Sequence, residues 1–398
     1  MQIFELDRPE ELERELQRIG CDPGGVKIMR DKGGRLAIKA KAVNIKAALI
    51  LKQEMLSLGG DSANHRETIS GKITKTDVLL LGTIAHYKTL VAKLMLQPFG
   101  LKELALQLQA ALDRYSGKVP PISLAHGQPL AFERALLMGI LNCTPDSFAD
   151  GGRFADPQQA IAHGKKMILD GADIIDIGGE SSRPGAEPVL AADEAARILP
   201  AISALSGQAI VSVDTYKSAV AEQALAAGAQ ILNDITALRG DIRMAAVAAL
   251  AKCPIVLMHM QGTPQTMQCA PVYEDIIYEL LHFFEERISF AISTGIKEEN
   301  IIIDPGLGFG KTVEHNLSIL NNLKQFRVLG RPVLIGPSGK SFIGKVLDLP
   351  VADRREGTAA SVCFSVFKGA NILRVHDVME MSQAVRMTEA IMRESGER

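Results

Sequence analysis

The chain has 398 residues, 47 % apolar and 23 % charged, with 44 Lys and Arg against 46 Asp and Glu for a net charge of −2. The length exceeds one average domain and leaves room for a barrel of roughly 250 residues plus a smaller module. The balanced charge argues against a chain built to coat nucleic acid or anionic membrane, and the composition is that of a packed globular protein. The five cysteines are scattered, with no C-x-x-C pair, which argues against a disulfide framework or a thiolate zinc site. The N-terminus is charged from its first residues, and no run of about 18 apolar residues occurs. The expectation is a soluble, cytoplasmic protein that neither spans a membrane nor binds nucleic acid.

In chain order, VKIMR and RLAIKAKAV read as strands, and NIKAALILKQEMLSLGG reads as a helix ending on glycine. RETISGKI and TDVLLLGT read as strands again, followed by a helix from Tyr87 to Tyr115 with a break near Pro98. Residues 1–118 are therefore expected to form a small α+β module in the order ββαββα. Its eight Lys and Arg between Lys27 and Lys52 could mark an RNA-binding face. No aromatic stacking residues accompany them, and Lys39 and Lys41 fall on one side of an alternating strand. A structural, dimer-forming or partner-docking role is preferred. The Pro-, Gly- and Ser-rich stretch around residues 119–130 reads as a linker.

From residue 131 to 398, short apolar runs alternate with helical stretches. The runs are LLMGIL, IIDIGG, AIVSVD, ILNDI, PIVLMHM, IIIDP, PVLIGPS and ILRVHD. Continuous apolar strands suit a parallel sheet buried on both faces. Eight such units predict a closed (β/α)8 TIM barrel. An open doubly wound sheet is the alternative, but GILNCTPDSF is not the glycine-rich phosphate turn such a sheet would carry after its first strand. The fold class is thus α/β, a (β/α)8 barrel preceded by a small α+β domain.

A barrel of this kind places its active site at the C-terminal ends of its strands. Here those ends carry Asn142, Asp176, Asp214, Asn233 with Asp234, His259, Asp304, Ser338 to Ser341, and Arg374 with His376 and Asp377. Asp234 or Asp377 taken alone also reads as a helix cap, but Lys, Arg and His do not cap helix N-termini. Asp214, Asn233 and Asp304 suit a flat heterocycle with amino and ring N–H donors on one edge. Lys340 can donate to such a ring, and Arg374 can stack on its face. Arg183, Arg374 and His376 suit a phosphate or diphosphate. Asn142 is a neutral oxygen ligand of the kind Mg²⁺ accepts when phosphate and water complete its shell. The helix opening at Ser341 offers backbone N–H groups to an anion.

Two lookalikes are set aside. GKT at 310–312 and GKS at 339–341 resemble the end of a P-loop, but Pro305 and Leu334 stand where that motif needs glycine. Met258, His259 and Met260 suggest copper, yet adjacent strand residues point to opposite faces and cannot converge on one ion.

The stretches LMGILNCTPDSFADGGRF, DIIDIGGESSRPGAEPV, VSVDTYKSAVAEQALAAGAQILNDI, LMHMQGTP, IIIDPGLGFGK, GPSGKSFIG and LRVHDV together resemble the dihydropteroate synthase family, in the family's order across residues 131–398. The resemblance does not reach the first 120 residues. It implies a transferase of folate biosynthesis, the class of enzyme that sulfonamides target. The reaction would join 6-hydroxymethyl-7,8-dihydropterin diphosphate to p-aminobenzoate and release pyrophosphate, with Mg²⁺ as cofactor. By position, Asp214, Asn233, Asp304, Lys340 and Arg374 would hold the pterin, with Asp214, Lys340 and Arg374 as the catalytic set. Asn142, Arg183, Arg374 and His376 would hold the diphosphate, and Asn142 the metal. Phe148, Ser182, Pro184 and Ser341 would contact p-aminobenzoate. The resemblance also implies a homodimer, and loops at 143–154 and 180–189 that fold over the site.

Three departures stand out. Ser182 replaces the family's usual Thr, Cys143 its usual Val, and Ser338-Gly339-Lys340 its usual S-R-K, which removes an arginine beside the pocket. Pterin-binding barrels that transfer methyl groups from methyltetrahydrofolate to a corrinoid protein are a rival reading, but they have no use for the TPDSF and SSRPG loops. A non-catalytic pterin-binding module is another, but it would not need Arg183, Arg374 and His376.

Overall fold

The computed structural model describes residues 9–124, 129–144, 157–181, 187–263, 266–267 and 270–395. The chain divides into two compact units, Met1–Ser116 with Arg393–Arg398, and Gly117–Met392.

The first unit is α+β. Helices α1 (Pro9–Ile19) and α2 (Pro23–Arg30) precede strand β1 (Leu36–Asn44), helix α3 (Ile45–Ser57), strands β2 (Asp61–Asn64) and β3 (Lys75–Gly82), and helices α4 (Ile84–Leu94) and α5 (Leu101–Ser116). The strands form an antiparallel sheet in the order β1-β3-β2. On β3 buried and exposed residues alternate strictly, so one face packs on the helices through Val78, Leu80, Leu51, Met55, Leu90 and Leu94. The Tyr87 hydroxyl donates to Leu36 O and Leu80 O at 2.7 and 3.0 Å, fastening α4 to the sheet.

Two expected strands are absent from this unit, and one expected face is broken. VKIMR lies in helix α2, because Asp22 caps it by accepting from Gly24 N at 2.8 Å and Gly25 N at 3.3 Å, and Pro23 opens its first turn. RETISGKI forms a 3₁₀ turn over Arg66–Thr68 followed by turns through Gly71, whose φ is +70°. The strand that pairs with β3 in its place is β2. In β1 a bulge sets Lys41 and Ala42 against Asp77, with Ala42 N donating to Asp77 Oδ1 at 3.1 Å. The inserted residue interrupts the alternation that would put Lys39 and Lys41 on one face. The break near Pro98 falls between α4 and α5.

The second unit is the barrel. Its strands are β4 (Leu136–Asn142), β5 (Ile174–Gly178), β6 (Ile210–Asp214), β7 (Ile231–Asp234), β8 (Ile255–Met258), β9 (Ile301–Asp304), β10 (Leu334–Ile335) and β11 (Ile372–Val375). All are parallel, in the order β10-β11-β4-β5-β6-β7-β8-β9. A parallel bridge between Ile303 and Val333 joins the two ends and closes the ring. Each of the eight expected runs is one strand. The helices are α6 (Pro157–Leu169), α7 (Ala191–Leu205), α8 (Ser218–Ala226), α9 (Met244–Ala251), α10 (Ile276–Ser293), α11 (Val313–Asn321), α12 (Ser341–Leu347), α13 (Arg355–Phe367) and α14 (Val378–Ser395).

Side chains alternate across each strand. Outward residues such as Ile175, Val211, Leu232, Ile255 and Leu373 pack under the helices. Inward residues at the strand starts, including Leu136, Met138, Ile174, Ile231, Val256, Ile302, Leu334 and Ile372, form an apolar floor. Ile122 and Leu130, from the stretch that reads as a linker, pair with each other and are buried in that floor. Ile122 and Leu130 therefore close the floor at the end of the barrel opposite the site.

Candidate active site

Two residues beyond the floor, the same inward alternation brings Asp176 after Ile174, Asn233 after Ile231, Met258 after Val256, Asp304 after Ile302, Gly336 after Leu334 and Arg374 after Ile372. Ser212 and then Asp214 follow Ile210, and Asn142 stands four residues beyond Met138. A period of two thus converts one apolar layer into one polar layer above it. Asn233, Asp304, Lys340 and Arg374 line one hollow with Ile235, Met258, Leu307, Phe309 and Gly336. A second hollow, sharing Ile235, is lined by Asp214, Thr215, Tyr216, Glu180, Ser181 and Glu194.

Arg374 is the hub. Its Nε donates to Asp176 Oδ2 and its Nη2 to Asp214 Oδ2, both at 2.6 Å. Asn233 Nδ2 donates to the same Asp176 oxygen at 3.0 Å. Burial works against the guanidinium charge, but Asp176 and Asp214 outweigh it and raise the Arg374 pKa. Burial pushes the Asp214 carboxyl up to about 7, against the pull of Arg374 and with the help of Asp176. Burial likewise pushes Asp304 up to about 6, although Gly306 N donates to it at 2.7 Å and Lys340 and Arg374 favour its charge. An N–H donor reaching either carboxylate would favour the ionised form.

Lys340 lies just before α12, with its Nζ 4.2 Å from the centroid of the Phe309 ring. Gly339, at φ +66°, occupies a backbone region that L-residues rarely enter, and no heavy atom lies within 4 Å of where a Cβ would sit. His376 N donates to Ser338 Oγ at 3.2 Å, and His376 Nδ1 is 2.9 Å from the same oxygen. Asn142 is half-buried at the end of β4, and Ser341 is exposed at the first turn of α12.

Of the expected site residues, Asp214, Asn233, Asp304, Lys340 and Arg374 come together at one rim. Phe148, Ser182, Arg183 and Pro184 lie outside the described residues, as do 145–154 of the first expected loop and 182–186 of the second. Asp234 has the outward parity and does not join the site. It holds the following turn, accepting from Thr236 N, Thr236 Oγ1 and Leu238 N at 2.8, 2.6 and 2.7 Å. Of the lookalike triplet, Met258 and Met260 pack together in one cluster. His259 faces away and meets Lys311 Nζ at 2.9 Å through Nδ1.

Several participants carried no role in the sequence reading. Asp176 was visible as a strand end, and its parity with Ile174 was the signal that it faces inward. Lys311, from the P-loop lookalike, is buried and also donates to Phe309 O at 3.0 Å, bracing the loop that carries the Phe309 ring. Burial, opposed by Asp304, pushes its amine down to about 7, and burial pushes His259 down to about 2. In the second hollow, burial would raise the Glu180 carboxyl. Hydrogen bonds from Lys217, Val189 N and Tyr216 instead hold it below its ordinary value.

A model of the pterin binding enzyme family matches residues 138–376, the span that holds every described rim residue. The chain belongs to this family. It is 46 % identical over 276 residues to a dihydropteroate synthase of Bacillus subtilis, covering 68 % of this chain and 94 % of that one. It is 41 % identical over 388 residues to a probable bifunctional folylpolyglutamate synthase/dihydropteroate synthase of Halobacterium salinarum. That match covers 97 % of this chain, its N-terminal unit included, and 46 % of the relative, so the chain spans under half of that protein. The solved dihydropteroate synthase of Xanthomonas albilineans with 4-aminobenzoic acid superposes with a TM-score of 0.65 at 40 % identity, covering 69 % of this chain and 99 % of that one. All three relatives carry the dihydropteroate synthase name, that of a transferase, and the solved one shares this barrel.

Proposed function

We propose that the chain is a dihydropteroate synthase, condensing 6-hydroxymethyl-7,8-dihydropterin diphosphate with p-aminobenzoate to give 7,8-dihydropteroate and pyrophosphate. The observation that carries this reading is the Arg374–Asp176–Asp214–Asn233 network beside Asp304 and Lys340. It presents acceptors, an amide and a cation around one hollow of the barrel mouth. Asp214, Asn233 and Asp304 accept from the amino and ring N–H edge of the pterin, Lys340 donates to the ring, and Arg374 lies against its face. The diphosphate is assigned to Asn142, Arg183, Arg374 and His376. The second substrate is assigned to Phe148, Ser182, Pro184 and Ser341.

The described residues contain no group of three or more His, Cys, Asp or Glu that could hold a metal. One neutral rim ligand, Asn142, instead suits Mg²⁺ that takes its other positions from diphosphate and water. When bound, the ion supplies neutralisation of the leaving group's charge. Loss of diphosphate leaves positive charge on the exocyclic carbon, delocalised into the dihydropterin ring. Asp214, held in place by Arg374, stabilises that charge electrostatically. The aniline nitrogen then forms the new C–N bond, and its proton passes to pyrophosphate or water.

Among the described residues no helix is long and apolar enough to cross a membrane, which accords with a cytoplasmic enzyme. Exposed Val346, Leu347, Val351, Phe364 and Phe367 on and beside α12 and α13 favour the homodimer. Pyrophosphate release by the purified protein tests the activity. Release that depends on p-aminobenzoate and yields dihydropteroate is expected, and pterin binding without condensation would refute it.

A further inference from the structure

The lysine of the GKT lookalike has no part in the reaction above, yet its loop borders the hollow lined by Asn233, Asp304, Phe309, Lys340 and Arg374. Lys311 is 4 % exposed. With its amine charged it has three N–H groups and no lone pair, and three acceptors meet it. They are His259 Nδ1 at 2.9 Å, His259 O at 3.3 Å and Phe309 O at 3.0 Å. Burial holds the His259 ring neutral, so its Nδ1 can carry the lone pair that accepts. An ammonium occupied in this way has no donor left for a phosphate.

These acceptors belong to two different segments. His259 follows β8, and Phe309 lies in the loop from Pro305 to Gly310 between β9 and α11. That loop is pressed against the chain after β8. Gly306 and Gly310 stand at φ +69° and +62°, and a Cβ on them would lie 2.1 Å from His259 O and 2.8 Å from Gln261 O respectively. The loop also shapes two walls of the hollow. Gly306 N donates to Asp304 Oδ1 at 2.7 Å, and the Phe309 ring centroid is 4.2 Å from Lys340 Nζ. A second anchor reaches the same loop, since the Tyr273 hydroxyl donates to Gly310 O at 2.8 Å. Asn233 and Arg374 are held through Asp176 instead.

We propose that Lys311 is a positioning residue for the pterin: by tying Phe309 O to the chain after β8, it fixes the loop that sets the Phe309 ring and the Asp304 carboxylate around the substrate's ring. The hollow's own chemistry suits such a ligand. Acceptors at Asn233 and Asp304 meet the N–H edge of a flat ring, while Phe309, Met258 and Leu307 offer it apolar contact. Burying an amine costs free energy even when its hydrogen bonds are met, so what Lys311 contributes is geometry rather than stability. This inference rests on the dihydropteroate synthase reading.

The test is calorimetry of two ligands, the dihydropterin diphosphate and 6-hydroxymethyl-7,8-dihydropterin without its diphosphate. Both are titrated into the unaltered protein, Lys311→Met and Tyr273→Phe, and the KM for p-aminobenzoate is read from pyrophosphate release. Lys311→Met is expected to raise both Kd values by about tenfold, because a misplacement near 1 Å can cost about a hundredfold. Equal factors for the two ligands locate the loss at the ring rather than at the leaving group. The KM for p-aminobenzoate at saturating pterin should stay within about threefold of the unaltered value. Tyr273→Phe removes one hydrogen bond from the same loop and leaves Lys311 in place. It covers the case in which Lys311→Met fails to fold, and should raise both Kd values by about threefold. A folded variant with a lower Tm but unchanged pterin Kd, or an equal loss for p-aminobenzoate, would overturn the inference while leaving the reading intact. Absence of condensation in the unaltered protein would overturn both.

Discussion

Asp214→Asn separates charge from shape at the centre of the site. Asparagine keeps an oxygen that can accept from Arg374 Nη2, now 2.6 Å from the carboxylate, but it loses the negative charge proposed above to stabilise the reacting carbon. A full charge about 4 Å from a developing cation contributes on the order of 4 kcal/mol at an effective dielectric near 20. Arg374 already offsets part of that field. About 2–3 kcal/mol remains, which corresponds to a fall in kcat of roughly 10². Calorimetric affinity for the pterin diphosphate should change far less. The assay is steady-state pyrophosphate release at saturating substrates. A loss under about fivefold with pterin affinity intact would refute electrostatic stabilisation by Asp214. The same variant carries a stability signature. The folded pKa is pushed up to about 7 from a usual value of 3.8, so the folded state binds the proton more tightly. That contribution is present in full below about pH 4 and is lost as pH rises through 7. Urea unfolding should therefore show Asp214→Asn gaining stability relative to the unaltered protein between pH 4 and 8, and a constant difference would refute the burial argument.

The remaining predictions concern neighbouring groups. Lys311 has its folded pKa pushed down to about 7 from 10.5, so the unfolded state binds more protons across that window and stability rises with pH. Lys311→Met should abolish that rise in chemical unfolding measured from pH 7 to 10. Arg374→Lys keeps a charge but cannot bridge Asp176 and Asp214 together, and pterin diphosphate affinity by calorimetry should fall by about tenfold, near 1.4 kcal/mol. Chelation of Mg²⁺ should stop turnover while Tm stays put, because no described cluster makes the ion part of the fold. Gly339→Arg, the residue expected from the family resemblance, finds open space at its Cβ but must enter φ +66°. It should cost about 1–2 kcal/mol in urea unfolding.

The barrel was legible because each of its strands is a continuous apolar run, and a run buried on both faces admits few other readings. The rim was legible for a related reason. Asp214, Asn233, Asp304 and Arg374 interrupt those runs where a core residue would otherwise stand. Asp234 shows what parity adds to position, since one step along β7 separates the rim residue Asn233 from a residue that braces the following turn. VKIMR was misread because its apolar residues outweighed the Asp22–Pro23 cap just before it. RETISGKI was misread because Thr and Ile suggested a strand while Gly71 at positive φ broke it. The burial of Ile122 and Leu130 in the barrel floor depends on contacts far along the chain, and local composition pointed the other way. The part played by Lys311 was illegible for the same reason, because His259 reaches it only when β8 and β9 pair.

The strict alternation inside the barrel has a consequence for how such a chain can change. Floor and rim share one frame, so inserting or deleting a single residue within β6, β7, β9 or β11 would turn Asp214, Asn233, Asp304 or Arg374 toward the helices and expose an aliphatic side chain to the pterin. If the rim kept its frame instead, the same slip would withdraw Ile210, Ile231, Ile302 or Ile372 from the floor. Length is free to vary only beyond the strand ends, where an added residue alters reach without reversing a face. An insertion or deletion inside a strand thus sacrifices either the chemistry or the core, and substitution is the route by which a barrel strand can acquire a new specificity while keeping both.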